Sequence, residues 1–148
     1  MTTIAANRSQ IAGDKCATHS GGFRFKIKSK LYSFHTPLIY PHPFHIGMAG
    51  NIEHFPDIID FFTSPAEAKK IPRLKGGEGI ILTNDGKLFC FSVPTIWIEV
   101  DQPYYAVGSG ASFAMGAMAA GDTPEQAIKK AIKHDTSTGY GVTKINIP

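Results

Sequence analysis

Residues 2–14 read Thr-Thr-Ile-Ala-Ala-Asn-Arg-Ser-Gln-Ile-Ala-Gly-Asp. Residues 3–6 and 10–13 are apolar or small and flank the polar break Asn7-Arg8-Ser9, a pattern that predicts a β-hairpin. Thr2 then begins one strand and Asp14 ends its partner, so the hairpin carries a carboxylate to the neighbourhood of Thr2. A lysine beside Thr2 would complete a charged pair there, and Lys30 is the candidate.

Outward from the hairpin, Phe23, Phe25 and Ile27 alternate with Arg24, Lys26 and Lys28, and Leu31 and Phe34 follow an irregularity near Ser29. Alternation of this kind predicts a half-buried sheet. Residues 35–45 hold Pro37, Pro41 and Pro43 among aromatic residues, which disfavours a continuous element and predicts an ordered loop; residues 46–50 follow as a short buried strand. Asn51 is an N-cap for a helix that carries Ile52, Phe55, Ile58, Ile59 and Phe62 at three- and four-residue spacing, with Pro56 forcing a late start or a kink. Ser64-Pro65-Ala66-Glu67 has the pattern of a capping box opening a brief second turn. Residues 80–82, 88–93, 96–100 and 104–107 read as a meander of short strands, with a turn at Asn84-Asp85-Gly86. Two helices follow, over 112–120 and from the capping box Thr123-Pro124-Glu125-Gln126, and then a last strand over 142–147. Strands, helix, strands, helices, strand predicts an α+β fold of two antiparallel sheets stacked face to face with helices outside.

The chain has 148 residues, 43% hydrophobic and 18% charged, which suits a single domain over 1–148 with one packed core and excludes a disordered or collagen-like chain. Its formal charge of +3 is spread over several segments, with a modest cluster at 24–30, so no nucleic-acid partner is expected. No apolar run follows the first residues and none approaches a bilayer span, so the expectation is a soluble, cytoplasmic protein with no membrane partner. Cys16 and Cys90 lie far apart in no metal-binding pattern and are expected as reduced, buried thiols. His42, His45 and His54 have no common ligand spacing, and Asn84-Asp85-Gly86 lacks the other positions of a calcium loop, so neither a metal nor a cofactor is expected.

Thr2 carries the chemistry. An N-terminal threonine supplies both halves of a catalytic pair, because its hydroxyl attacks while its own α-amine, with an ordinary pKa of about 7.7–8.0, accepts the proton. An initiator methionine before a small residue is commonly trimmed, which would free the Thr2 amine without a propeptide.

The sequence resembles the proteasome β-subunit family, including the bacterial proteasome-like peptidase that works with an unfoldase, within the N-terminal-nucleophile hydrolases. The resemblance runs over residues 1–62 and 79–147. It rests on Thr2-Thr3-Ile4, Gly13-Asp14, Lys30-Leu31-Tyr32-Ser33-Phe34, Gly47-Met48-Ala49-Gly50, Val107-Gly108-Ser109-Gly110 and Asp135-Thr136-Ser137-Thr138-Gly139. It implies a four-layer αββα sandwich and a threonine peptidase. Thr2 would be the nucleophile, Lys30 the cation lowering proton affinity around it, and Asp14 the carboxylate orienting Lys30. The backbone N–H of Gly50 would meet the oxyanion, and Ser109 and Asp135 would hold the Thr2 amine. Thr138 stands where the family usually has serine. Met48 would line the pocket for an apolar substrate side chain. The resemblance further implies a homo-oligomer of ring form, a peptide or unfolded-protein substrate and an ATP-dependent unfoldase as feeder.

Three departures stand out: the first hairpin is short, residues 35–45 look inserted, and the stretch between Phe62 and Gly79 is too short for the family's long second helix, which predicts shortened helical layers. Two other functions fit the same residues. One is a catalytically silent assembly module of this fold, and the other an amidohydrolase of small amides, since the same attack serves any acyl transfer.

Overall fold

The computed structural model describes residues 2–18, 21–65, 78–93 and 96–148. The first hairpin forms as β1 (Thr3–Asn7) and β2 (Gln10–Asp14), with Asn7 Oδ1 accepting from the backbone N–H groups of Ser9 and Gln10 to close the turn. β1 lies centrally in a four-stranded antiparallel sheet, between β10 (Tyr104–Gly108) and β2, and β11 (Val142–Asn146) closes the far side of β2. A five-stranded antiparallel sheet runs in chain order through β5 (Leu31–Phe34), β6 (Phe44–Ala49), β7 (Glu78–Thr83), β8 (Leu88–Val93) and β9 (Ile96–Glu99). The expected meander therefore divides: β7 to β9 stay together, while β10 crosses to pair with β1.

Period-two alternation sorts the side chains into layers. Ile4 and Ala6 point to the space between the sheets, where they meet Ile11, Leu31, Ile80, Leu82, Leu88 and Val107. Ala5 points the other way and, with Ala12 and Ala106, offers a flat surface on which α2 (Ala111–Ala119) and α3 (Pro124–His134) settle through Ala114, Met118, Ala127 and Ile128. The capping box of α3 forms as read, with Thr123 and Gln126 bonded in both directions. On the outer face of the five-stranded sheet, α1 (Phe55–Thr63) packs Phe55, Ile58 and Phe62 against Phe44, Ile46 and Ile81. Asn51 caps a short 3₁₀ turn over Ile52–His54 that leads into α1, and Pro56 falls in the first turn, where it has no bond to lose. Three apolar interlayers separate four layers, the αββα sandwich with short helices.

Residues 35–43 cover part of the face that α1 leaves open: Tyr40 stacks on Trp97 at 5.7 Å, and Thr36 Oγ1 donates to Phe62 O at 2.6 Å. The expectation over 23–28 fails. β3 (Cys16–Thr18) and β4 (Arg24–Lys26) form a two-stranded ribbon outside both sheets, and Phe23 is 75% exposed. Alternation reads as half-buried only where a second layer lies beneath, and β4 pairs with β3 alone. The capping pattern Ser64-Pro65-Ala66-Glu67 runs beyond residue 65, outside the described residues. Cys16 is buried as expected, whereas Cys90 is only partly so.

Candidate active site

At the end of β1, Thr2 lies against Gly108, whose φ of +97° only glycine adopts without strain and whose missing Cβ would sit 1.9 Å from the Thr2 carbonyl oxygen. Ser109 N–H then donates to that oxygen at 2.8 Å. The Val107-Gly108-Ser109-Gly110 segment thus seats the start of β1 by backbone shape.

The Thr2 hydroxyl meets two charged groups. It donates to Asp14 Oδ1, and Lys30 Nζ reaches Thr2 Oγ1 and also bonds to Asp14 Oδ1 at 3.0 Å. All three side chains are at most 2% exposed. A carboxylate so deeply buried needs several donors, and Asp14 has them: Thr3 N–H at 3.1 Å on Oδ1, and Gly139 N–H at 3.0 Å and Cys16 N–H at 3.2 Å on Oδ2. Lys30 Nζ additionally donates to the Cys16 carbonyl. Burial lowers the pKa of Lys30 from its ordinary value, and the Asp14 charge works against that fall. The result is a cation held at the threonine oxygen with less hold on its proton than an exposed lysine has.

A second polar group lies beside the first. Asp135 caps the end of α3, and its Oδ2 accepts from Ser109 Oγ and Thr138 Oγ1, both at 2.5 Å, while Oδ1 accepts from Ser137 N–H. Burial works to raise the Asp135 pKa, but these donors together outweigh it and hold the carboxyl below its usual range. Thr138 Oγ1 also lies 2.7 Å from Thr3 Oγ1. Ser109, Asp135 and Thr138 therefore come together next to Thr2, and among the described residues their link to it is the Thr2 carbonyl. Met1 lies outside the described residues. Beyond the 135–138 turn, Gly139 lends its N–H to Asp14, and Tyr140 and Gly141 take positive φ values.

Gly50 follows β6 with φ +130°. Met48, expected on a pocket wall, is fully buried in the apolar cluster with Phe55 and Ile58, because it faces α1. The cleft of about 300 Å³ in this part of the molecule is lined instead by Ile27, Lys28, Tyr32, Ile52, Phe55 and Ile59, among others. Its lining residues flank Lys30 and Gly50 in sequence.

Three contributors were missed by sequence reasoning. The Cys16 carbonyl holds Lys30, Glu78 accepts from Gly108 N–H at 3.2 Å, and Arg24 braces the outside by donating to Cys16 Sγ and Thr138 O. Backbone acceptors carry no residue signature, but Cys16 follows Asp14 closely enough to have been considered. Among the described residues no group of three or more His, Cys, Asp or Glu side chains is placed to hold a metal ion, and no helix is long and apolar enough to cross a membrane.

No protein-family model matches the chain, and no curated protein does. Solved structures match its fold over nearly the whole length. BPH from Thiobacillus denitrificans in complex with epoxomicin is 16% identical with a TM-score of 0.69, covering 99% of this chain and 98% of that one. Eukaryotic HslV from Trypanosoma brucei is 16% identical with a TM-score of 0.67, covering 99% of each chain. Anbu from Hyphomicrobium sp. strain MC1 is 13% identical with a TM-score of 0.72, covering 98% of this chain and 81% of that one. The chain has the four-layer αββα fold of these proteins.

Proposed function

From this fold as premise, we propose that the chain is a threonine peptidase whose nucleophile is Thr2, exposed as the N-terminus once Met1 is removed. The observation that carries the reading is the buried contact of Lys30 Nζ and Asp14 with the Thr2 hydroxyl. Nothing in folding stability calls for a lysine in an apolar interior, where desolvating its charge is costly. A cation at that oxygen does serve the attacking alkoxide, whose charge it offsets.

In the proposed reaction the Thr2 α-amine takes the hydroxyl proton, Oγ1 attacks the peptide carbonyl, and the amine returns the proton to the leaving nitrogen. The Gly50 N–H donates to the oxyanion. Asp14 orients Lys30, and Asp135, through Ser109 and Thr138, fixes the segment around the new N-terminus. The cleft from Ile27 to Ile59 receives an apolar substrate side chain, with Met48 supporting it from the core. The proposal extends to a cytoplasmic homo-oligomer, ring-shaped, that takes peptides or unfolded proteins from an ATP-dependent unfoldase.

A second reading has an observation of its own: Thr2 is 2% exposed and its hydroxyl already donates to Asp14, an arrangement that also suits a silent module kept for assembly. Hydrolysis of fluorogenic peptide amides with an apolar residue before the scissile bond separates the two. The peptidase reading expects turnover that Thr2→Ala and Lys30→Met each lower by at least about a hundredfold. Absence of turnover, or turnover indifferent to both substitutions, supports the silent module.

A further inference from the structure

A second constellation of hydroxyl, imidazole and orienting amide stands where β5 and β6 leave the region of Thr2. Ser33 on β5 is exposed and lies directly across from His45 on β6. Ser33 Oγ is 2.8 Å from His45 Nδ1, and on the other side of the ring His45 Nε2 is 2.8 Å from Asn84 Oδ1. Asn84 opens the turn between β7 and β8 and is anchored by its own N–H, which donates to Pro43 O at 2.9 Å. An amide oxygen only accepts, so Nε2 carries the ring proton and the Nδ1 lone pair faces the Ser33 hydroxyl. Base and orienting group are thus in the order that a nucleophilic hydroxyl requires.

Strand register adds an independent element. Met48 N–H donates to Lys30 O at 3.2 Å, which makes 30 with 48, and in turn 32 with 46, the hydrogen-bonded pairs of this ladder. Ser33 and His45 are therefore a non-hydrogen-bonded pair, whose side chains approach most closely and whose main-chain groups turn away from each other's strand. β5 is an edge strand. The Ser33 N–H thus points out along the open edge as a donor for an anion formed beside its own side chain. Leu31, two residues before Ser33, packs between the sheets, whereas Tyr32 and Phe34 pack toward α1, so the Ser33 and His45 side chains stand on the face of the sheet away from α1, and Ser33 is exposed there.

We propose that Ser33 and His45, positioned by Asn84, form a second hydrolytic site that acts on small carboxylic esters and works independently of Thr2. Ser33 Oγ attacks the ester carbonyl as its proton passes to His45 Nδ1, and the Ser33 N–H donates to the oxyanion. The bond to the alcohol oxygen breaks, and Nδ1 returns the proton to it. Water, giving a proton to Nδ1, then attacks the acyl-Ser33 carbonyl; the carboxylic acid leaves and the proton returns to Ser33. Esters suit the site because an alkoxide departs with less assistance than an amine. Asn84 touches neither substrate nor reacting atoms and is a positioning residue.

The test uses the full chain carrying Thr2→Ala, so that its outcome is separate from that of the peptidase reading, and a fluorophosphonate probe read by intact mass and peptide mapping. A single adduct on Ser33 is expected. It should be absent in Ser33→Ala, a change at an exposed position that spares the fold, and formed about a hundredfold more slowly in His45→Gln. Asn84→Ala should slow labelling and Asn84→Asp restore it, and hydrolysis of p-nitrophenyl acetate should follow the same order. No adduct, an adduct at another residue, or labelling indifferent to His45→Gln overturns the proposal.

Discussion

Lys30 is the residue on which the interior turns. It is a lysine at 2% exposure with a carboxylate, a hydroxyl and a backbone carbonyl around its ammonium, and so its charge is compensated on every side that the hydrogen bonds define. Asp135 is the other charged centre, held ionised below the usual carboxylate range by Ser109, Thr138 and the Ser137 N–H against the cost of burial. A depressed carboxyl pKa contributes stability above the ordinary aspartate value and loses it as pH falls through the folded value. Thermal unfolding followed from neutral pH into acid should therefore show Asp135→Asn less stable than the parent at neutrality, with the gap narrowing as the pH drops below that ordinary value. Parallel curves would mean that the Asp135 charge contributes nothing. Thr2, Asp14 and Lys30 were legible in the sequence because the hairpin and the family pattern fix where each lies along the chain. The exact partner of Ser109 was not, since hydrogen bonds to a carbonyl leave no trace in residue type.

Among the elements, the β1–β2 hairpin was readable from its turn alone: Asn7 bonds to the next two backbone amides of the turn it starts. β4 was misread, because period-two alternation reports a pleat and not what lies beneath it. The sheet-to-sheet interlayer depends on small residues that the sequence only hinted at. A Cβ on Gly47 would lie 2.4 Å from Ile4 Cγ2, so β6 can pass under β1 only with glycine at that position. Gly47→Ala should lower stability by about 1–3 kcal/mol in urea unfolding, because the interlayer is overpacked. Wild-type stability in that variant would show that the two sheets slide apart freely. The insertion at 35–45 also finds its reason at this scale, as Tyr40 covers sheet surface next to Trp97 and Phe89 that α1 does not reach.

The whole molecule is organised around the mouth between the sheets, where β1, the 108–110 turn and the 135–139 segment converge on Thr2. Layer order was predictable from the succession of strands and helices, but the crossing of β10 to the other sheet was not, because β8, β9 and β10 carry similar local patterns and only the partner at β1 distinguishes them. A fold shared with structures only 12–17% identical leaves function to the site, and the central claim is that Thr2 becomes a free, reactive N-terminus. The most direct measurement is the intact mass of the purified protein before and after a peptide epoxyketone, a reagent that closes on both the hydroxyl and the free amine of an N-terminal threonine. The account predicts a chain lacking Met1 that gains one adduct, with none on Thr2→Ala. A chain that keeps Met1, or that stays unmodified, would contradict it.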